Sequence, residues 1–424
     1  MSLNRRNFLE GAAALGAAIW MPGCMSSASC GNSVWKGWKK GHFQAHFIYT
    51  GVAESIFLIY PDGTTMMIDC GDHPAHERGK KAIPIQPDMS RHAGEWVARY
   101  VKRVNPNGDK VDYGMLSHYH SDHGGGNSYH LGKSKNGEYY ISGFGQVIDY
   151  LSFGKMVDRI YPATDIPLPL PDKVMSETPG HMRGVYRELE RRGTKVEAFR
   201  LENGSDQLNP VRGGVKNFTI RPLCANGKFL YPDGSLRDMY AEYIRTKKPK
   251  HLNENGLSIG MMFEYGPFKF YTAGDLSDKI YTKKEGLVSA EDEMAKICGR
   301  AHVAKINHHG HKSMTDNIVS ALSSDVYVSC VWDQLHVTRD TMRRICDSKN
   351  SKVKPMVCPG IFTKERQAED SGEAWIENVA KGVYSTGCHV VMDVYDEGRK
   401  YDIVVIDATN EDMNVKAVYN FETK

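Results

Sequence analysis

The run His118-Tyr119-His120-Ser121-Asp122-His123 sets three imidazoles and a carboxylate side by side, directly ahead of Gly124-Gly125-Gly126. Neutral imidazole suits zinc and its transition-metal neighbours, and a carboxylate suits harder cations. The mixture therefore points to a catalytic metal site with open positions and not to a closed thiolate finger. The glycine triplet lets other backbone approach the loop closely. Two pieces farther along have the same character: Tyr271-Thr272-Ala273-Gly274-Asp275 ends an apolar run in Gly-Asp, and Val303-Ala304-Lys305-Ile306-Asn307-His308-His309-Gly310-His311 ends another in histidines. A carboxylate such as Asp275 can bridge two cations, and hydrolytic sites hold such a pair roughly 3.5–4 Å apart.

Each of these pieces needs a strand to deliver it. Val111-Asp112-Tyr113-Gly114-Met115-Leu116 reads as a buried strand whose carboxyl end carries the histidine run, where ligands commonly converge. Upstream, residues 43–49, 55–60 and 65–69 read as three strands with a Pro61-Asp62-Gly63 turn, and the last ends in Asp69-Cys70-Gly71-Asp72. Residues 95–104 read as a helix, 146–157 as helical and 182–192 more clearly so, followed by strands at 195–199, 218–223, 257–263, 268–272 and 326–329. The charged, Pro- and Gly-containing stretch 228–255 reads as an insertion or lid, and it shapes the pocket together with 124–150. The alternation predicts an α/β protein.

The order of these motifs resembles the ComEC-type branch of the metallo-β-lactamase superfamily, named for the hydrolase-like domain of DNA-uptake competence proteins. The likeness runs from residue 43 to about 407. It takes in Phe47-Ile48-Tyr49-Thr50-Gly51, Ile68-Asp69-Cys70-Gly71, Asn255-Gly256-Leu257-Ser258, Gly274-Asp275, Asn307-His308-His309-Gly310, His336, and a closing hairpin from Tyr384-Ser385-Thr386-Gly387 to Ile406. The resemblance implies a four-layer αββα sandwich with the site at one edge between two sheets. It implies two divalent cations, zinc first with manganese or iron as alternatives. His118 and His120 would hold one; Asp122, His123 and either His308 or His309 the other, with His308 favoured as the first after its strand; Asp275 would bridge. Asp69 would steady a ligand histidine. His336 would bind an oxyanion or protonate a leaving group. Two departures stand out. His181, in Thr178-Pro179-Gly180-His181, occupies the interval where the wider superfamily has a further ligand, but it reads here as a helix-start residue. His311 stands where the branch tends to have Ser, as a substrate contact or an extra ligand.

The chain of 424 residues, 41% of them hydrophobic, can bury one large core or two ordinary ones. Its net charge of +3 demands no nucleic-acid partner, although extracellular nucleic acid stays open as a substrate. Residues 1–24 resemble a twin-arginine export signal: Arg5-Arg6 precede Phe8-Leu9, and a small apolar run from Gly11 to Trp20 is too short to span a bilayer comfortably. Cys24 resembles a lipoprotein processing site, which would make the lipid the only membrane link. The predicted organisation is thus a signal over 1–24, a linker over 25–41 and one hydrolase domain over 42–424, in a bacterial periplasmic or lipid-anchored protein. No C-x-x-C occurs among the nine cysteines.

The expected activity is hydrolysis by a metal-activated hydroxide oriented by Asp122 or Asp275. The resemblance places it on the phosphodiesters of a small molecule, an envelope component or a polymer. Carboxylic ester, lactone or β-lactam hydrolysis is the alternative within the enzyme class, and a metal- or substrate-binding protein without turnover is the alternative outside it.

Overall fold

A computed structural model describes residues 33–73, 82–126, 132–163, 173–241, 254–277, 279–347, 355–358, 360, 362, 364–380 and 387–423. In chain order the strands begin with β1 Ser33–Val34, β2 Phe43–Phe47, β3 Ser55–Ile59, β4 Thr65–Cys70, β5 Lys110–Met115, β6 Ser152–Asp158 and β7 Lys195–Ala198. Next come β8 Phe218–Ala225, β9 Lys228–Leu230, β10 Leu236–Asp238, β11 Gly260–Tyr265, β12 Phe268–Thr272, β13 Lys279–Thr282 and β14 Gly286–Ser289. The last are β15 Val303–Lys305, β16 Val326–Val328, β17 Met356–Cys358, β18 Cys388–Tyr395, β19 Lys400–Asp407 and β20 Asn414–Glu422.

Two large sheets form, in the orders β1-β20-β19-β18-β2-β3-β4-β5-β6-β7 and β10-β9-β8-β11-β12-β15-β16-β17, with β13 and β14 as a separate hairpin. Alternation along the strands sorts their side chains into three cores. Ile56, Leu58, Met66 and Ile68 of the first sheet meet Met261, Phe263, Phe270 and Val303 of the second in the middle of the sandwich. Their neighbours Phe57, Ile59 and Met67 point the other way, onto Val97, Val101, Met182 and Val185 of the helices Ala93–Val104 and Lys173–Arg191. On the far side Met262, Tyr271, Ala304 and Tyr327 pack on Met294, Ile318, Leu322 and Met342 of three further helices. Each fully buried Val, Leu, Ile, Phe or Met among them contributes about 1.5–3 kcal/mol. The layers are therefore helix, sheet, sheet, helix.

Strands β4 to β7 run parallel, as do β12, β15, β16 and β17, and parallel neighbours require crossovers that return the chain to the same end of the sheet. The carboxyl ends of β4, β5, β12, β15 and β16 thus collect at one edge: Asp69 is the penultimate residue of β4, and the segments after the other four carry His118, Asp275, His309 and Trp332.

The structure departs from the sequence expectations at several places. Residues 146–157 are not one helix: a single turn, Phe144–Val147, is followed by β6, because pairing with β5 captures Ser152–Asp158. The stretch 228–255 is not all insertion, since β9 and β10 extend the second sheet and bury Phe229 and Met239 completely; residues 242–253 lie outside the described set. Strand β11 starts at Gly260 after a 3-10 turn over Glu254–Leu257. Within 25–41, Ser33–Val34 pairs with β20 and Trp38 packs on the first sheet's helix-side core. The export signal, Cys24 and Tyr384-Ser385-Thr386 lie outside the described residues. No described helix is long and apolar enough to cross a membrane, and the seven described cysteines are free thiols.

Candidate metal centre

Strand β4 ends in a sharp corner built on Asp69, whose φ is 59°, in the left-handed region. The corner is held by the carboxylate: Oδ1 accepts from Ser117 N at 2.7 Å, and Oδ2 accepts from Ser117 Oγ at 2.6 Å and from His123 Nδ1 at 2.8 Å. Gly71 follows because nothing larger fits, as a Cβ there would lie 1.8 Å from the carbonyl oxygen of Asp122. The metal loop itself is a single helical turn, Ser121–Gly124, resting on this corner through Asp72 N to Ser121 O and Glu54 N to Asp122 O, both 2.9 Å. Tyr119, between His118 and His120, turns inward and is buried. Its hydroxyl donates to Asp158 at 2.5 Å and its backbone N–H to Glu254 at 2.8 Å, while Glu254 pairs with the fully buried Arg159 at 2.7 Å.

The second half of the centre hangs on Glu291, which is fully buried. Its carboxylate accepts from Asn307 Nδ2 at 2.8 Å and from the backbone N–H of Met314 and Thr315 at 2.9 Å each, bracing the loop that carries the histidine pair. Burial pushes the Glu291 carboxyl up to about 7 despite these donors. Within that loop His308 and His309 are both left-handed, with φ of 48° and 51°.

Two groups of donor atoms result, and they share Asp275. His118, His120 and Asp275 form one; His123, His309, Asp275 and Glu54 form the other, with the atoms of each group within 4.8 Å of one another. In the first, His118 Nε2 lies 3.0 Å from His120 Nδ1 and 3.9 Å from Asp275 Oδ2. In the second, the Nε2 atoms of His123 and His309 are 3.2 Å apart, and Asp275 Oδ2 is 3.2 and 3.3 Å from them. Asp122 Oδ2 completes this side at 3.0 Å from His309 Nε2, and it accepts from Trp332 Nε1 at 2.8 Å.

These residues fit cations. His123 Nδ1 is committed to Asp69 and His309 Nδ1 to the Cys330 carbonyl at 2.6 Å, so in the neutral rings both Nε2 lone pairs face the Asp275 carboxylate. Converging lone pairs need a positive charge between them. The electrostatics agree: burial alone would lower His123, yet Asp275, Asp122 and Asp69 hold it well above the ordinary imidazole range, and Asp275 and Asp122 likewise raise His309 to about 9 against burial. Asp275 and Asp122 are in turn held well below the usual carboxylate range, where His123 and His309 outweigh burial. His118, with burial and the neighbouring His123 acting together, is lowered.

His309, and not the favoured His308, therefore faces Asp122, His123 and Asp275. His308 Nε2 meets Asn255 Nδ2 at 3.3 Å and its Nδ1 meets Ser277 Oγ at 2.9 Å. Coming first after the strand does not decide which ring turns inward, because the regular backbone stops at the left-handed His308. His336 is buried, stacks on His309 at 5.7 Å with an interplanar angle of 9°, and leaves Nδ1 without a hydrogen-bond partner. His311 is half-buried, 5.5 Å from the His308 ring and 5.6 Å from that of His336. His181 sits inside the helix Lys173–Arg191, eight residues after its first residue and not at its start, and it is buried with Thr178, Pro179 and Met182. It belongs to neither donor group: Tyr140 N donates to its Nδ1 at 3.1 Å, and its Nε2 meets Gly124 O at 3.3 Å.

Sequence reasoning missed Glu54, Lys305 and Trp332. The available signals were a charged residue in the otherwise apolar run 303–306 and a carboxylate in the small-residue turn 51–55.

Residues 49–187 match the family model described as the metallo-beta-lactamase superfamily, a span that includes Asp69 and the histidine run and stops short of Asp275 and His309. No curated protein matches the chain. The match and the four layers together make the fold that of a metallo-β-lactamase domain, and with the buried donor cluster they support a metal-dependent hydrolase.

Proposed function

We propose that this metallo-β-lactamase fold carries a ComEC-type hydrolase that uses a pair of divalent cations, zinc first, to cleave phosphodiester bonds. The observation that carries the pairing is the two donor groups joined by Asp275. His118 and His120 would hold one cation, and Asp122, His123 and His309 the other. When bound, the cations would supply Lewis-acid polarisation of the phosphoryl oxygens and acidify water toward neutrality. The chain's own residues do the positioning. Asp69 keeps the His123 proton on Nδ1, the Cys330 carbonyl does the same for His309, and Trp332 orients Asp122. His336, with Nδ1 unpartnered beside His309, hydrogen-bonds a substrate oxygen, and His311 contacts the substrate farther out. The choice of bond rests on the ComEC-type order of the motifs and on the suitability of paired cations for non-bridging phosphate oxygens.

The likeness of residues 1–24 to an export signal, with Cys24 at its end, supports a periplasmic or lipid-anchored enzyme acting on envelope, small-molecule or nucleic-acid phosphodiesters. The test is turnover of bis-nitrophenyl phosphate by the zinc-loaded chain beside a phosphomonoester, a carboxylic ester and a β-lactam, with Asp122→Ala as control. Diester cleavage that disappears in the variant is the expected result. Cleavage of the ester or lactam alone refutes the choice of bond, and no turnover with both cations bound refutes the enzyme.

A further inference from the structure

Beneath the donor cluster lie two charged side chains that the ligand assignment does not use. Lys305 ends β15, Glu54 closes the turn before β3, and both are fully buried. Lys305 Nζ stands 2.7 Å from Glu54 Oε2, donates to the Gly274 carbonyl oxygen at 2.7 Å, and lies 3.6 Å from Asp275 Oδ1. A lone ammonium at such a place would cost several kcal/mol, so a counter-ion in contact with it is a physical requirement, and Glu54 is that counter-ion.

The same geometry argues against Glu54 as a ligand, although it falls within the donor group. Its Oε2 is 3.6 Å from Nδ1 of His309, the nitrogen already committed to the Cys330 carbonyl, whereas Asp275 and Asp122 face Nε2 on the opposite side of the ring. The two oxygens of Asp275 are unlike for a related reason. Oδ2 is turned toward the Nε2 atoms of His118, His123 and His309, while Oδ1 makes no hydrogen bond and faces the ammonium.

Resting on the paired-cation reading above, we infer that Lys305 is a positioning residue: its ammonium, balanced by Glu54, retains Asp275 Oδ1 so that the carboxylate offers the cations Oδ2 alone. Gly274 strengthens the arrangement. Its carbonyl and the Asp275 carboxylate are both drawn toward Nζ, so one side chain sets the backbone and the side chain of the shared ligand together. Without the ammonium, Oδ1 is free to swing toward the cations and Asp275 becomes a two-oxygen ligand with a different reach.

The test is a Zn²⁺ titration of the full chain against a competing chelator, with X-ray absorption of the loaded protein. Lys305→Met alone leaves Glu54 buried without its counter-ion and can unfold the protein, so the decisive variant is Glu54→Gln combined with Lys305→Met, which removes both charges at nearly constant shape. The double variant should keep the parent's far-UV circular dichroism, bind the second equivalent about 10–100-fold more weakly, and show an altered metal–metal distance. A double variant that is unfolded, or one that holds both equivalents as tightly as the parent, overturns the inference. A parent that takes up a single equivalent refutes the paired-cation reading itself, which distinguishes the two failures.

Discussion

Replacing Asp69 with asparagine keeps the side chain's size and removes its charge, at a position where every donor contact is accounted for. The carboxylate takes Ser117 N on Oδ1 and both Ser117 Oγ and His123 Nδ1 on Oδ2, all at 2.6–2.8 Å. An amide has one acceptor and one donor end, so a donor must meet a donor. The least costly arrangement puts NH₂ at the Oδ2 position: the Ser117 hydroxyl rotates to accept, and His123 gives up its Nδ1 proton and takes one on Nε2. Hydrogen bonds to a charged group are worth about 1.5–3 kcal/mol each, and the two at Oδ2 are the ones altered. The tautomer change has the larger consequence. A proton on Nε2 occupies the lone pair that lies 3.2 Å from Asp275 Oδ2, so that nitrogen can no longer ligate. Zn²⁺ affinity at the His123 side should therefore fall about 10–100-fold, equivalent to about 1.4–2.7 kcal/mol. Chelator competition gives the affinity, and ¹⁵N chemical shifts of the Zn²⁺-loaded protein show which His123 ring nitrogen carries the proton. Parent affinity in Asp69→Asn, with His123 still protonated on Nδ1, would refute the reasoning.

Trp332→Phe deletes the donor to Asp122 Oδ2 and keeps an aromatic ring; a charge-assisted bond of about 1.5–3 kcal/mol is lost, so kcat/KM for the activated diester should drop roughly 10–100-fold with metal content unchanged by elemental analysis. Glu254→Gln leaves Arg159 buried without its partner and should cost about 3–5 kcal/mol in urea unfolding of the cation-free chain; a change under about 1 kcal/mol would mean that the pair does not support the Tyr119 loop. Hydrogen bonds from Arg99 first, then from Arg103, hold Glu411 down at about 2, burial opposing them. Its folded value is below the ordinary 4.5, so its contribution is whole above that pH and lost as pH falls toward 2. Glu411→Gln should thus cost about 1–2 kcal/mol at pH 7 after allowance for solvent screening, and the gap to the parent in thermal unfolding should close near pH 2.

Much of the centre was legible in the chain as written. His118, His120, Asp122, His123 and Asp275 were readable because each belongs to a short run of unusual composition at the end of an apolar strand, and such runs survive as local signals wherever the strand goes. The alternation of Phe57 and Ile59 with Ile56 and Leu58 announced strands with two buried faces, which is why a layered α/β fold could be expected from residue types alone. Other features had no local signal. Ser152–Asp158 became a strand because β5 lay ready to pair with it, and β9 and β10 left the supposed insertion because the second sheet had an edge to extend. The choice of His309 over His308 required the two left-handed residues, since periodicity predicts side-chain direction only while the backbone stays regular. The Glu54–Lys305 pair and the Trp332 bond to Asp122 join segments far apart in the chain, and a contact of that kind exists only after the two sheets have packed. Sequence by itself determined which donor types are present and that strand ends deliver them. Tertiary structure alone decided which nitrogen faces which oxygen, because that depends on angles and distances set where separate strands meet.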